Sequence, residues 1–229
     1  VLISGSLAFD YIMNFPVKFK DHILPENIHI LNVAFTIDRL EKNFGGTAGN
    51  IAYTMKFLAG DPFILSTLGK DGGEYQNRFE KLSFSNEGIV TIDDLFTASA
   101  YIMTDEDDNQ ITAFYPGALA KADSYSVPKA DFALAILAPN WKPATEKHAK
   151  ECKEQNIPYI FDPGQQITSF SGEELLAVMQ DASGFIGNDY ELEMVMKKTG
   201  KSREELLGMT GLLIKTLGPK GSVIHTKDE

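Results

Sequence analysis

The chain has 229 residues, 43% apolar and 23% charged, enough for one α/β domain with a large core. Its net charge is −11, from 32 acidic against 21 basic residues, which argues against nucleic acid or an anionic membrane as the main partner; a small anionic ligand stays open, because local N–H groups and a divalent metal override the global sign. A single cysteine, Cys152, excludes an intrachain disulfide, and no apolar run reaches the roughly 18 residues a membrane span needs. With no signal-peptide pattern either, a cytoplasmic location is the expectation. The chain starts at Val1 inside an apparent strand and stops at Glu229 after another, so both ends read as cut.

In chain order, Val1–Ile3 leading into Gly5 reads as a buried first strand, with Asp10 near its carboxyl end. Tyr11–Phe15 and Ile28–Phe35 are rich in β-branched and aromatic residues, with Pro16, Asp21 and Pro25 between them. Thr47–Leu58 is expected to be a helix, Phe63–Leu68 a strand and Gly72–Leu82 a helix. Thr97–Thr104 and Gln110–Tyr115 flank the acidic turn Asp105–Asn109 as a hairpin. The two islands, at about 11–40 and 97–116, read as a small second sheet over the main one; the alternative makes them edge strands of the main sheet. Beyond them, Phe132–Leu137 is an apolar run suited to a strand buried on both faces. Pro143–Gln155, Ser171–Asp181 and Tyr190–Thr199 read as helices, and a short one follows Ser202. Ser171 with Glu174 and Ser202 with Glu205 have capping-box spacing. Tyr159–Phe161, Gly184–Gly187, Leu212–Lys215 and Ser222–His225 read as strands. The alternation implies a three-layer α/β/α sandwich with a mostly parallel sheet.

Four polar features fall at expected strand ends, where ligands bind in such sheets. Asp10 offers a carboxylate that can accept hydrogen bonds from two neighbouring hydroxyls, as on a sugar. Gly45-Gly46-Thr47-Ala48-Gly49-Asn50 lets backbone approach a ligand and opens a helix, with Asn50 one turn after Gly46; a tight loop before a buried helix is the alternative. Asn188 and Glu191, three apart at a helix start, carry hard oxygens suited to Mg²⁺ beside phosphates, or they cap the helix. Thr216 with Gly218 and Gly221 offers a hydroxyl and close backbone approach, or a plain β-turn. The four histidines lack metal-ligand spacing, and neither a P-loop nor a nucleophile elbow is present.

Taken together, these motifs resemble the ribokinase-like (PfkB-type) family of sugar and nucleoside kinases along nearly the whole chain. The first family signature is matched by Gly45–Ala52, with Gly69-Lys70-Asp71 downstream. The N-x-x-E motif is matched by Asn188 and Glu191, and the nucleotide-contacting turn by Thr216-Leu217-Gly218 and Gly221.

The resemblance implies one ribokinase-like domain over 1–229 with a β lid, using ATP and Mg²⁺ to phosphorylate a primary hydroxyl of a ribose-containing substrate. Asp10, Gly45, Gly46 and Asn50 would hold the sugar. Asn188, Thr216, Gly218 and Gly221 would hold the nucleotide, and Asn188 with Glu191 the metal. The family's G-A-G-D loop, with its general-base Asp, is expected beyond Glu229, so the chain is expected to lack the base. Asp108–Gly117 and Asp162–Gln165 lean toward adenosine kinase-like members, and Phe35 and Phe114 could stack on a flat base or form lid core. A nucleoside such as adenosine is thus the expected substrate. A sugar kinase on ribose or fructose and an inactive nucleoside- or sugar-binding paralogue remain alternatives. Family lids sometimes pair between subunits, so a homodimer through the Ile28–Phe35 strand is a further expectation.

Overall fold

The computed structural model describes residues 1–30 and 32–227. Its elements in order are β1 (Leu2–Ser4), β2 (Ala8–Asn14), β3 (Arg39–Gly45), α1 (Thr47–Phe57), β4 (Phe63–Gly69), α2 (Gly73–Lys81), β5 (Ile89–Ile92), β6 (Ala98–Thr104) and β7 (Gln110–Tyr115). They continue with β8 (Ala135–Leu137), α3 (Lys142–Glu154), β9 (Tyr159–Phe161), α4 (Gly172–Met179), β10 (Gly184–Asn188), α5 (Asp189–Thr199), α6 (Arg203–Thr210), β11 (Leu212–Thr216) and β12 (Ser222–Thr226). Among the described residues, eight strands form the main sheet in the order β12-β11-β10-β9-β8-β1-β4-β5. All its pairings are parallel except β11 with β12. A parallel sheet needs helices on its faces, and its strands read accordingly: β1 is buried throughout and β4 nearly so. The expected apolar strand at Phe132–Leu137 is regular only over Ala135–Leu137; Phe132 instead meets the Phe63 ring, centroids 5.4 Å apart.

Local chemistry sets the helix ends. Pro143 lies in the first turn of α3, where its missing N–H costs no hydrogen bond. Lys142–Glu146, Lys147–Glu151 and Lys150–Glu154 pair four residues apart along it. Helices α4, α5 and α6 each open on a capping box, at Ser171/Glu174, Asn188/Glu191 and Ser202/Glu205.

The second sheet has the order β3-β2-β6-β7. Its β6–β7 hairpin lies where the sequence puts it. The buried Asp105 carboxylate organises the turn, accepting hydrogen bonds from the backbone N–H of Phe19, Asp107 and Asn109, each at 2.9 Å. The strand expected at Ile28–Phe35 is corrected: 25–30 form a 3-10 turn, 32–37 have no regular structure, and Leu31 lies outside the described residues. The third lid strand is Arg39–Gly45 instead. Phe35 goes into an aromatic nest at the lid tip, 4.9 Å from the Phe15 ring and 5.4 Å from that of Phe19, so of its two readings it is lid core. The Gly69-Lys70-Asp71 stretch roots the lid. Asp71 Oδ1 accepts from the Thr97 N–H and hydroxyl, both at 2.7 Å, and Thr97 Oγ1 accepts from the Gly69 N–H at 2.9 Å.

Candidate active site

In the main sheet the connections run one way from β1 to β4 and β5, and the other way from β8 to β11. The reversal leaves a crevice beyond the carboxyl ends of β1 and β8, the place where such sheets bind ligands. A hydroxyl lock closes its floor. Thr47 N–H donates to Ser6 Oγ at 3.0 Å, and Thr47 Oγ1 donates to the Pro139 carbonyl at 2.9 Å. This ties the β1 loop, the start of α1 and the β8 loop together. Below it, Asn140 Nδ2 donates to Ser4 Oγ at 3.1 Å, and Ser4 pairs with His148 Nδ1 at 2.8 Å. The other ring nitrogen, Nε2, meets the Tyr125 carbonyl at 3.1 Å. A carbonyl only accepts, so Nε2 carries the proton and Nδ1 accepts from Ser4. Burial holds the His148 pKa below its usual value.

The structure brings four of the expected acceptor residues to this crevice. Gly46 has φ +89°, and a Cβ there would lie 2.5 Å from the Ser6 carbonyl oxygen and 2.7 Å from the Ala8 nitrogen. A Cβ on Gly45 would lie 2.1 Å from Asp10 Oδ2, so the carboxylate rests on the bare glycine. Among the described residues no side-chain hydrogen bond reaches Asp10, and burial raises its pKa: it is an acceptor with open capacity. Across the lid, Asn43, Asp10, Ala100 and Phe114 stand in register on one face. That face continues at its base into Ala8 and Ala98, packed with Leu119, Ala122 and Ala144, so it turns toward the β8 side. Phe114 is 50% exposed. Asn50 is exposed in the first turn of α1, its N–H donating to the Gly46 carbonyl at 3.1 Å. Asn43 was missed in the sequence, because β3 itself was.

The donor-side residues gather at β10 and β11. Asn188 and Thr216 are in-register partners. Asn188 Oδ1 accepts from Glu191 N–H, and Glu191 Oε2 accepts from Asn188 N–H, both at 2.8 Å. The pair therefore forms the helix cap, with the second Glu191 oxygen left over. Gly218 and Gly221 have φ +58° and +90°, and no atom lies within 4 Å of where a Cβ would stand, so the turn presents bare backbone. Strands roughly 4.8 Å apart put β1 and β11, four steps along the sheet, about 19 Å from each other. That is room for two ligands end to end.

Between the two ends lies a residue the sequence reading did not assign. Asp162, after β9, accepts from Gly164 N–H at 3.0 Å. Burial, and then the negative Glu191, push its pKa up to about 6. Among the described residues no group of three or more His, Cys, Asp or Glu side chains is placed to hold a metal. A divalent ion held by Asp162 and Glu191 would need phosphate and water to complete its shell.

The family model for pfkB family carbohydrate kinases matches residues 7–229. The chain belongs to the pfkB family. It is similar to a nucleoside kinase of Methanocaldococcus jannaschii, 31% identical over 98% of this chain and 72% of that protein. The structure of Burkholderia thailandensis nucleoside kinase in complex with inosine has 36% identity and a TM-score of 0.90, over all of this chain and 73% of that one. The same enzyme in complex with ADP-inosine has 39% identity and a TM-score of 0.84, over 99% and 72%. The pfkB chain thus has the ribokinase-like α/β fold with its smaller separate sheet. The expectation that it lacks a general base gains no support from relatives it matches over only part of their length. No helix among the described residues is long and apolar enough to cross a membrane.

Proposed function

We propose that this chain is an ATP-dependent nucleoside kinase that phosphorylates the primary hydroxyl of a purine nucleoside such as adenosine. The observation that carries the reading is the row Asn43–Asp10–Ala100–Phe114 above the bare Gly45-Gly46 ledge. Asp10 accepts hydrogen bonds from two ring hydroxyls. Gly45 and Gly46 admit the ring against backbone, and Asn50 adds an amide from the helix start. Phe114 offers a face for a flat base, a surface that a free sugar would leave uncovered. The relative solved both with inosine and with ADP-inosine supports a nucleoside acceptor and an adenine-nucleotide donor.

At the other end, Thr216, Gly218 and Gly221 receive the nucleotide through a hydroxyl and open backbone. Hydrated Mg²⁺, when bound, shields the phosphate charge in a chain of net charge −11. Glu191 and Asp162 supply oxygens for it, and Asn188 fixes Glu191 through the cap. Closure of the lid excludes water from the transfer. The homodimer expected through the lid would use its outer face, where Leu40, Tyr101 and Ile111 are exposed.

The test is ATP-dependent turnover of adenosine, inosine, ribose and fructose. Nucleosides are expected to be used with a kcat/KM at least about tenfold above that of either free sugar, a preference worth roughly 1.4 kcal/mol. Equal or better use of ribose or fructose would replace this reading with the sugar kinase. No turnover of any acceptor would leave the binding paralogue.

A further inference from the structure

We infer that Tyr75 is a positioning residue for acceptor binding, its hydroxyl fixing the ledge on which the Asp10 carboxylate rests. The inference rests on the acceptor-site reading above. Two successive glycines define little of their own backbone geometry, so their orientation must be imposed by partners. For Gly45 these are Ala8, its partner in the β2–β3 ladder, and Tyr75. The phenol, on α2 and 2% exposed, donates to the Gly45 carbonyl at 2.5 Å. Its ring stands against Phe44 at 5.1 Å, Phe9 at 5.8 Å and Phe79 at 4.9 Å. Phe9 and Phe44 are in-register partners directly beside Asp10 and Gly45, on the opposite face of the lid. Tyr75 therefore props the back of the strand pair whose front carries Asp10.

The first turn of α1 is shaped to admit this hydroxyl. A Cβ on Gly49 would lie 2.2 Å from the Tyr75 oxygen. The signature glycine at position 49 thus makes room for a side chain from another helix rather than for a ligand. With the hydroxyl gone, the Gly45–Gly46 peptide loses its inward tether and keeps only the β2–β3 pairing at Ala8, which loosens the surface under Asp10.

The molecule contains its own control. Tyr159 is equally buried, and its hydroxyl donates to the Val178 carbonyl at the same 2.5 Å, away from the acceptor residues. Tyr75→Phe and Tyr159→Phe should each lower Tm by roughly 2–4 °C, the effect of one lost buried hydrogen bond. Only Tyr75→Phe should raise KM for adenosine or inosine, by roughly five- to tenfold, with KM for ATP unchanged. Gly49→Ala, which pushes the hydroxyl off the carbonyl without removing it, should give the same acceptor-selective shift. An unchanged acceptor KM in both Tyr75→Phe and Gly49→Ala, or an equal rise in Tyr159→Phe, overturns the inference. Asp10→Ala separates the two failures. If it raises acceptor KM while the Tyr75 and Gly49 variants do not, the positioning role alone falls. If it too leaves KM unchanged, the acceptor site is elsewhere and both fall.

Discussion

Replacing Asp162 with Asn should stabilise the protein at neutral pH while impairing it as a kinase. Asp162 is held mostly out of water beside the negative Glu191, and its pKa rises from 3.8 to about 6. A carboxyl whose folded pKa lies above its unfolded one keeps its proton in the folded state after the unfolded chain has lost it. Stability therefore falls as pH rises from about 4 to about 6, and above that the ionised group weighs fully against folding. At about 1.36 kcal/mol per pH unit, the difference amounts to about 3 kcal/mol at pH 8. Asn carries no charge and keeps an oxygen for the Gly164 N–H, now 3.0 Å from Oδ1. Urea unfolding of the two proteins should show Asp162→Asn more stable by up to about 3 kcal/mol at pH 8, with the gap closing by pH 4. The subtraction removes the titrating groups that do not interact with Asp162. A gap independent of pH, or a variant less stable at pH 8, would refute the reasoning. A carboxylate kept at such a cost in a cleft points to work done in its ionised form, so turnover should drop in the same variant.

Gly46→Ala should cost about 3 kcal/mol or more, since the new Cβ meets backbone atoms of Ser6 and Ala8 at 2.5 and 2.7 Å and the φ of +89° suits only glycine; denaturation that finds under about 1 kcal/mol would contradict that geometry. Ser171→Ala and Asn188→Ala remove equivalent helix caps, so each should lose about 1 kcal/mol of stability. Only Asn188→Ala should also lower kcat, and equal turnover in the two variants would return Asn188 to a purely structural role.

The main sheet and its helices were legible because they obey one rule each. Strands buried on both faces are continuously apolar, and Ser171, Asn188 and Ser202 announce their helices through caps. The lid was legible only where a turn dominates, as at Asp105. Its edge strand β3, Arg39-Leu40-Glu41-Lys42-Asn43-Phe44-Gly45, has five of its first six side chains outside the core and exposed or nearly so, so no hydrophobic alternation marks it. The apolar segment before it drew the strand assignment instead, yet its aromatic Phe35 is consumed by a nest with Phe15 and Phe19. The ligand-facing glycines and Asp10 stood out as motifs. Tyr75 and the charge state of Asp162 did not, because they depend on neighbours 30 residues away at Gly45 and on helix α5 at Glu191. Local sequence carries no trace of such partners.

The pairing at the centre of the lid has a consequence for how the molecule assembles. Strands β2 and β6 run parallel, and their first pair, Ala8 with Ala98, joins positions 90 residues apart. The intervening chain contributes α1, β4, α2 and β5 to the body of the domain, so the two lid insertions meet across a long stretch of body elements. Closing so large a loop is slow and is rewarded late. Asp10 and Phe114 stand on either side of that long-range pairing. The acceptor pocket therefore depends on contacts between distant parts of the chain, and a nucleoside bound there would act as a cross-link that chain order does not supply.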